Sequence, residues 1–131
     1  MKNIEVVNNL NKLNRFINRE VALNKPLVNT IAKWKMKKNL KLLSEIDKPY
    51  EECMQDIIKA YELHIAENGN ISIPETQKDN AEKISNELSE LMQAENEVNL
   101  NMITEKDFTE DCLLGDMLLL DFMTEEGAEN E

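Results

Sequence analysis

The chain has 131 residues and a formal net charge of −11, and this length suits one domain. Charged residues make up 31% and aromatic residues 5%, while only three Gly and three Pro are present. A sandwich or barrel needs more turn residues than this, whereas abundant Leu, Glu, Lys, Asn and Met favour helices. The composition therefore predicts a single, mainly helical domain.

Charge is sorted along the chain. Residues 1–48 hold 11 of the 15 Lys and Arg with four acids, a net charge of +7, whereas residues 49–131 carry −18. A chain divided in this way can fold its basic part against its acidic part, or present surfaces of opposite sign to two partners. Because −18 repels phosphate, nucleic-acid binding by the whole molecule is disfavoured.

The first predicted helix begins at Asn8 or Asn9, whose side chains suit an N-cap, and residues 3–7 are either a short edge strand or its lead-in. The segment 24–26 predicts a break and restart. Pro26 is expected at the first position of the next helix, where its missing N–H costs nothing.

An apolar stripe then continues through Pro49 without a change of phase. Its members recur at intervals of three, four or seven: Ala32, Met36, Leu40, Leu43, Tyr50, Met54, Ile57, Tyr61 and Ile65. Since Pro49 cannot donate to the carbonyl of Glu45, the stripe predicts one helix kinked at Pro49 or two nearly in-line helices. Residues 67–70 predict the end of this arm, with Gly69 as a left-handed cap.

A second amphipathic helix is predicted from about Glu75 to Glu95, packed antiparallel against the long arm, residues 27–67. This second arm is too short to cover the whole first arm, which predicts that the basic end of the long arm is free. Residues 98–102 alternate like a strand with one dry face, and Leu113–Met123 predicts a last helix.

The predicted fold class is mainly α: a long antiparallel helical hairpin with a kinked first arm, short strands and a C-terminal helix. Residues 1–123 are expected to form one helical domain, and residues 124–131 an acidic disordered tail. No apolar stretch is long enough to span a membrane, so a soluble, cytoplasmic protein without a membrane partner is expected.

No reaction centre is recognisable in the sequence. The single His and the distant Cys53 and Cys112 have no metal-ligand spacing, and the isolated glycines make no phosphate loop. His64 is expected to complement a helix C-terminus, and both cysteines are expected to be free thiols. The sequence therefore predicts no enzyme, no cofactor and no metal site.

Two charged surfaces are candidates for binding a partner. The second arm presents an acidic face of Asp79, Glu82, Glu87 and Glu90, which is either a solvated face or a mimic of nucleic acid. The long arm presents an alternative basic face of Trp34, Lys37, Lys38 and Lys41, which can grip a phosphate backbone or an acidic partner. The bland alternative is that these lysines keep a long helix soluble and pair with the protein's own acids, while Trp34 packs at the open end of the hairpin.

The order of features resembles a family of small proteins of unknown function from tailed phages and prophages of low-GC Gram-positive bacteria. Five patches between about residues 9 and 123 carry the resemblance: Asn9-Leu10 with Leu13-Asn14, Ala32-Lys33 leading to Lys38-Asn39-Leu40-Lys41, Pro49-Tyr50-Glu51-Glu52, Asn68-Gly69-Asn70, and Leu118–Met123. The resemblance implies a phage or prophage accessory protein in the bacterial host cytoplasm, with no catalytic residues to carry over.

The function predicted from these observations is non-catalytic. The protein is expected to bind, and to inhibit or modulate, a host or phage protein through its acidic helical surface. The alternative is a structural or assembly role in virion or tail morphogenesis, and self-association stays open.

Overall fold

The computed structural model of the chain describes residues 1–125. Four α-helices follow one another: α1 (Asn3–Leu23), α2 (Thr30–Ala60), α3 (Ala81–Gln93) and α4 (Leu114–Leu118). Short 3-10 turns lie at Glu75–Asn80, Glu105–Asp107 and Asp121–Met123. The strands are β1 (His64–Ile65), β2 (Ile71–Ser72), β3 (Ile103–Thr104) and β4 (Thr124–Glu125). Helix accounts for 66% of the structure, so the predicted mainly helical class with short strands and a C-terminal helix is confirmed.

The two long helices pack antiparallel against each other. Leu13 and Phe16 of α1 share one buried cluster with Ala32 and Met36 of α2, whereas Val6 and Leu10 of α1 meet Leu43 further along. Burial of this apolar stripe, rather than helix propensity, is what makes helices of this length stable in water.

Both helices begin at positions different from the predicted ones. Helix α1 starts at Asn3, so residues 3–7 are helical and neither Asn8 nor Asn9 is a cap. Helix α2 starts after Asn29, whose side chain accepts a hydrogen bond from the Ala32 amide at 2.9 Å, so Pro26 lies in the connection. A side chain that satisfies an open first-turn amide fixes a helix start more strongly than a permissive Pro does.

Helix α2 runs without a break through Pro49. Met36, Leu43 and Tyr50 are buried seven residues apart, so the apolar phase is the same before and after the proline. The helix ends at Ala60, earlier than the predicted end of the first arm. The predicted turn around Gly69 is present, with φ of +85°, but it joins β1 to β2 as an antiparallel hairpin in which Ile65 pairs with Ile71.

The long arm has two helical neighbours rather than one. Helix α3 contacts both α1 and α2, and its end is tied to the start of α1, because the Asn3 side-chain amide donates to the Leu91 carbonyl at 2.7 Å. The predicted partner of the long arm is therefore present, but Leu43 of the apolar stripe is covered by α1.

The segment after α3 returns across the α1–α2 pair. Residues 98–102 form neither helix nor strand, so the predicted strand is absent from this part of the described chain. The side chain of the fully buried Asn39 makes the hydrogen bonds that a neighbouring strand would make. Its Oδ1 accepts from the Asn101 backbone amide at 2.8 Å, and its Nδ2 donates to the Asn101 carbonyl at 2.9 Å. A side-chain amide carries the same donor and acceptor as a peptide group.

The C-terminal segment closes the core. The predicted helix at Leu113–Met123 is instead α4 followed by a 3-10 turn, and Leu120 and Met123 are fully buried beside Ile103. Strand β4 then pairs in parallel with β3, so Thr124 and Glu125 of the expected tail belong to the fold, while residues 126–131 lie outside the described residues. No helix in residues 1–125 combines the length and apolar character needed to cross a membrane.

Replacement of Asn39 by Leu is expected to destabilise the protein although it adds apolar surface to the core. The Asn101 amide and carbonyl lose their partners, which costs about 1–3 kcal/mol of unfolding free energy. Urea denaturation followed by circular dichroism measures this change. Asn11→Leu, at an exposed position on α1, is the matched control and is expected to shift stability by no more than about 0.5 kcal/mol. Equal stability of the two variants would contradict this role of Asn39.

Candidate functional site

The acidic face lies on one side of α3 and the turn before it. Asp79, Glu82, Glu87 and Glu90 line a shallow surface cavity of about 560 Å³ together with Lys83 and Asn86. Asp79 and Glu82 are three residues apart, as are Glu87 and Glu90, and the two pairs are offset by eight residues, so the sequence places all four on one face of a helix. The opposite side of α3 is held in place by Ile84, which is fully buried.

These carboxylates are largely free of internal partners. None of the four lies within 4 Å of a Lys or Arg nitrogen among residues 1–125, and only Glu87 accepts a hydrogen bond, from the Tyr61 hydroxyl at 3.2 Å. An unpaired acidic face keeps its charge available for an external cation.

The basic face lies on the half of α2 that is nearer to α1's C-terminus. Trp34 is 55% exposed, and the Lys38 ammonium lies 4.2 Å from the centre of its ring, within the range of a cation–π contact. Lys37, Lys38 and Lys41 are exposed and make no ion pair in the part of the chain that the structure describes. The alternative in which Trp34 packs against the protein and the lysines pair with its own acids is therefore not met among the described residues.

An open groove beside this basic face was not predicted. It has a volume of about 710 Å³ and lies between the last turns of α1 and the first turns of α2, with Ile17, Val21, Met36 and Leu40 in its lining. A weak signal was present in the sequence, because Val21 is an apolar residue outside the buried stripe and is 74% exposed.

A second groove, of about 760 Å³, lies between the second half of α2 and the β1–β2 hairpin, and Tyr50, Met54 and Ile65 contribute to it. Close to it, burial and the neighbouring Glu51 carboxylate raise the pKa of Asp47 to about 6. The Oδ1 atom of Asp47 is buried without a hydrogen-bond partner among the described residues.

The residues considered for chemistry are dispersed. Cys53 is exposed and Cys112 is buried, and both are free thiols as predicted. His64 lies exposed in β1 rather than at a helix end, so the expected dipole role is wrong. Residues 1–125 contain no group of three or more His, Cys, Asp and Glu side chains arranged to hold a metal ion.

The fold and its surfaces define a helical module with an acidic surface and a basic surface at different places on one frame. A family model described as "Inhibitor of growth proteins N-terminal histone-binding" matches residues 33–104, more than half of the chain. The chain belongs to this family. No curated protein and no solved structure matches it.

Family membership corrects part of the sequence interpretation. The resemblance to phage and prophage proteins is wrong, and with it the viral character, the bacterial host cytoplasm and the virion-assembly alternative. Its five patches consist mostly of Lys, Glu, Asn and Leu, residue types that unrelated long helices share. The coarser expectation, a protein that acts by binding another protein and not by catalysis, agrees with the family's description.

The matched span covers nearly all of α2, then α3, and ends in β3. It therefore contains the acidic face and the basic face, while α1 and the C-terminal segment lie outside it.

Asp47 is expected to make stability depend on pH. Because its folded pKa is raised from 3.8 to about 6, it favours folding below pH 4 and this contribution is lost as pH rises through 6. Asp47→Asn is therefore expected to raise the melting temperature by about 3 °C at pH 7.5 and to change it little at pH 4. Thermal unfolding at both pH values measures this, with Asp56→Asn as the control. A gain of the same size at both pH values would exclude the titration of Asp47 as its cause.

The two thiols are expected to differ strongly in reactivity. Burial and the nearby Asp116 and Glu20 carboxylates raise the pKa of Cys112 to about 11, so its thiolate is scarce at neutral pH, whereas Cys53 is exposed. Iodoacetamide followed by mass spectrometry is expected to modify Cys53 in the folded protein and both cysteines in urea. Equal labelling of both thiols in the native protein would show that the segment around Cys112 opens readily.

Proposed function

We propose that this protein is a non-catalytic module that binds a basic segment of a histone through the acidic face of α3. The observation that carries the proposal is the group of four carboxylates, unpaired with any described Lys or Arg, on one face of a helix inside the family-matched span. Histones carry the cations that neutralise DNA phosphates, so a rigid acidic face is complementary to them.

The dimensions of the face suit an extended peptide. Asp79 and Glu90 are eleven residues apart, about 16 Å along a helix, a distance that an extended chain covers in about five residues. Two or three Lys or Arg side chains of such a segment can therefore meet carboxylates at the same time. The alternation of side chains along an extended chain brings every second residue to the same face.

The wider surroundings support the same polarity. The groove on the second half of α2 also has a small excess of acids, since Glu51, Glu52 and Asp56 outnumber Lys48 and Lys59 in its lining. Such an excess attracts a cationic partner and raises its association rate. The basic face lies near the other end of α1 from Asn3, where α3 is attached, so it does not neutralise these acids.

Charge reversal on α3 tests the proposal. The triple variant Glu82→Lys, Glu87→Lys, Glu90→Lys is expected to weaken binding of a fluorescent histone-tail peptide by roughly 30-fold or more, since exposed charge pairs contribute about 0.2–1 kcal/mol each and reversal adds repulsion. Fluorescence anisotropy measures the affinity, and circular dichroism checks that the fold is intact.

The matched control reverses Lys37, Lys38 and Lys41 to Glu, which is expected not to weaken the same peptide. Raising salt from about 0.1 M to about 1 M is expected to weaken wild-type binding steeply, because the Debye length falls from about 10 Å to about 3 Å. If the lysine variant loses the peptide and the acidic-face variant keeps it, the basic end of the molecule is the site and the proposal is wrong.

A further inference from the structure

The groove between the last turns of α1 and the first turns of α2 has two properties that occur together nowhere else among the described cavities. Its floor is apolar, formed by Ile17, Val21, Met36 and Leu40, and its rim is basic, with Lys33 and Lys37. Its volume of about 710 Å³ is in the range of pockets that hold a ligand or a few side chains of a partner.

The acid at this groove is already engaged inside the protein. Glu20 is 9% exposed, its Oε2 accepts from the Leu27 amide at 2.8 Å, and it lies 3.5 Å from the Lys33 ammonium. What the groove presents to the outside is therefore an excess of positive charge above an apolar floor.

The lysines of the rim continue along the helix. Lys33, Lys37 and Lys41 are spaced four residues apart, so their side chains follow one another on the same side of α2. Like charges at this spacing destabilise a helix slightly, and neither Lys37 nor Lys41 lies within 4 Å of a carboxylate of the described residues. Carboxylates from a partner would remove this repulsion.

Neither α3 nor the β1–β2 hairpin covers the groove. The last turn of α3 is bonded to Asn3, at the opposite end of α1 from Ile17 and Val21. Two antiparallel helices whose facing side chains leave a furrow accept a third helix, which lays its own apolar stripe into the furrow.

We propose that this groove is a second docking site, for an amphipathic α-helix of another protein that carries acidic residues beside its apolar stripe. The partner's apolar side chains replace water on Val21 and the partly exposed Leu40, and its carboxylates meet Lys37 and Lys41. The site differs from the acidic face of α3 in position and in the sign of its charge, so a basic and an acidic partner can be held at the same time.

Two designed helical peptides test the proposal. They share one stripe of Leu residues and differ only in their flanking residues, which are Glu in the acidic peptide and Lys in the basic peptide. The acidic peptide is expected to bind the full chain by fluorescence anisotropy, with amide chemical-shift changes concentrated in residues 17–41. The basic peptide is expected to bind this segment at least tenfold more weakly. Binding of both peptides with equal affinity would overturn the proposal.

Two variants with matched controls locate the site. Lys37→Glu and Val21→Ser are each expected to weaken the acidic peptide about tenfold, whereas Lys78→Glu and Leu114→Ser, at exposed positions elsewhere, are expected to change its affinity less than twofold. Val21 and Leu114 are 74% and 72% exposed, so both serine variants are expected to fold. Equal effects of the variants and their controls would overturn the proposal.

Other occupants give different outcomes. If a DNA duplex binds with dependence on Lys37 and displaces the peptide, the groove is a phosphate site. If Val21→Ser converts a dimer to a monomer in analytical ultracentrifugation, the occupant is a second copy of this chain. Either result would overturn the proposal. The variant that carries Glu82→Lys, Glu87→Lys and Glu90→Lys on α3 is expected to bind the acidic peptide with unchanged affinity. Failure of the histone proposal and failure of this one are therefore distinguishable.

Discussion

The antiparallel packing of α1 against α2 is the constraint on which the other parts of the structure depend. It buries Phe16, Met36 and Leu43 completely and fixes two helices of 21 and 31 residues as a rigid frame. The two ends of this frame have different neighbours. At the start of α1, Asn3 holds the last turn of α3, whereas an open groove with a basic rim lies between the end of α1 and the first turns of α2. The opposite charges of the two surfaces follow from which parts of the sequence lie at each end.

A polar side chain in the core determines how the rest of the chain crosses this frame. Asn39 is fully buried, yet its amide group is satisfied by the backbone of Asn101. A buried amide left without partners is costly, so this pair favours one register of the crossing segment over its neighbours. That register places Ile103 in the core and allows β3 to receive β4, which brings the C-terminal segment back onto the same frame.

The charged surfaces of this protein lie on helices whose opposite faces are buried in the core. Ile84 fixes α3 so that its acids face outward, and the buried Met36 does the same for Lys37 and Lys38 on α2. Because the side chains that carry charge need no internal partner, the frame keeps its stability while the surfaces stay available. Rigid presentation also reduces the conformational entropy lost when a partner binds.

The sequence by itself determined the helical class, the phase of the stripe through Pro49, the turn at Gly69 and the shared face of the four acids, because each depends on local periodicity or on one residue's backbone preference. It did not determine the family, since its short patches of Lys, Glu and Leu are common to many helices. Only the tertiary structure decided that α1 covers Leu43, that the Asn39 side chain bonds the Asn101 backbone, and that Val21 lines a groove. These outcomes depend on contacts between residues far apart in the chain, and local spacing carries no information about which distant surface meets which.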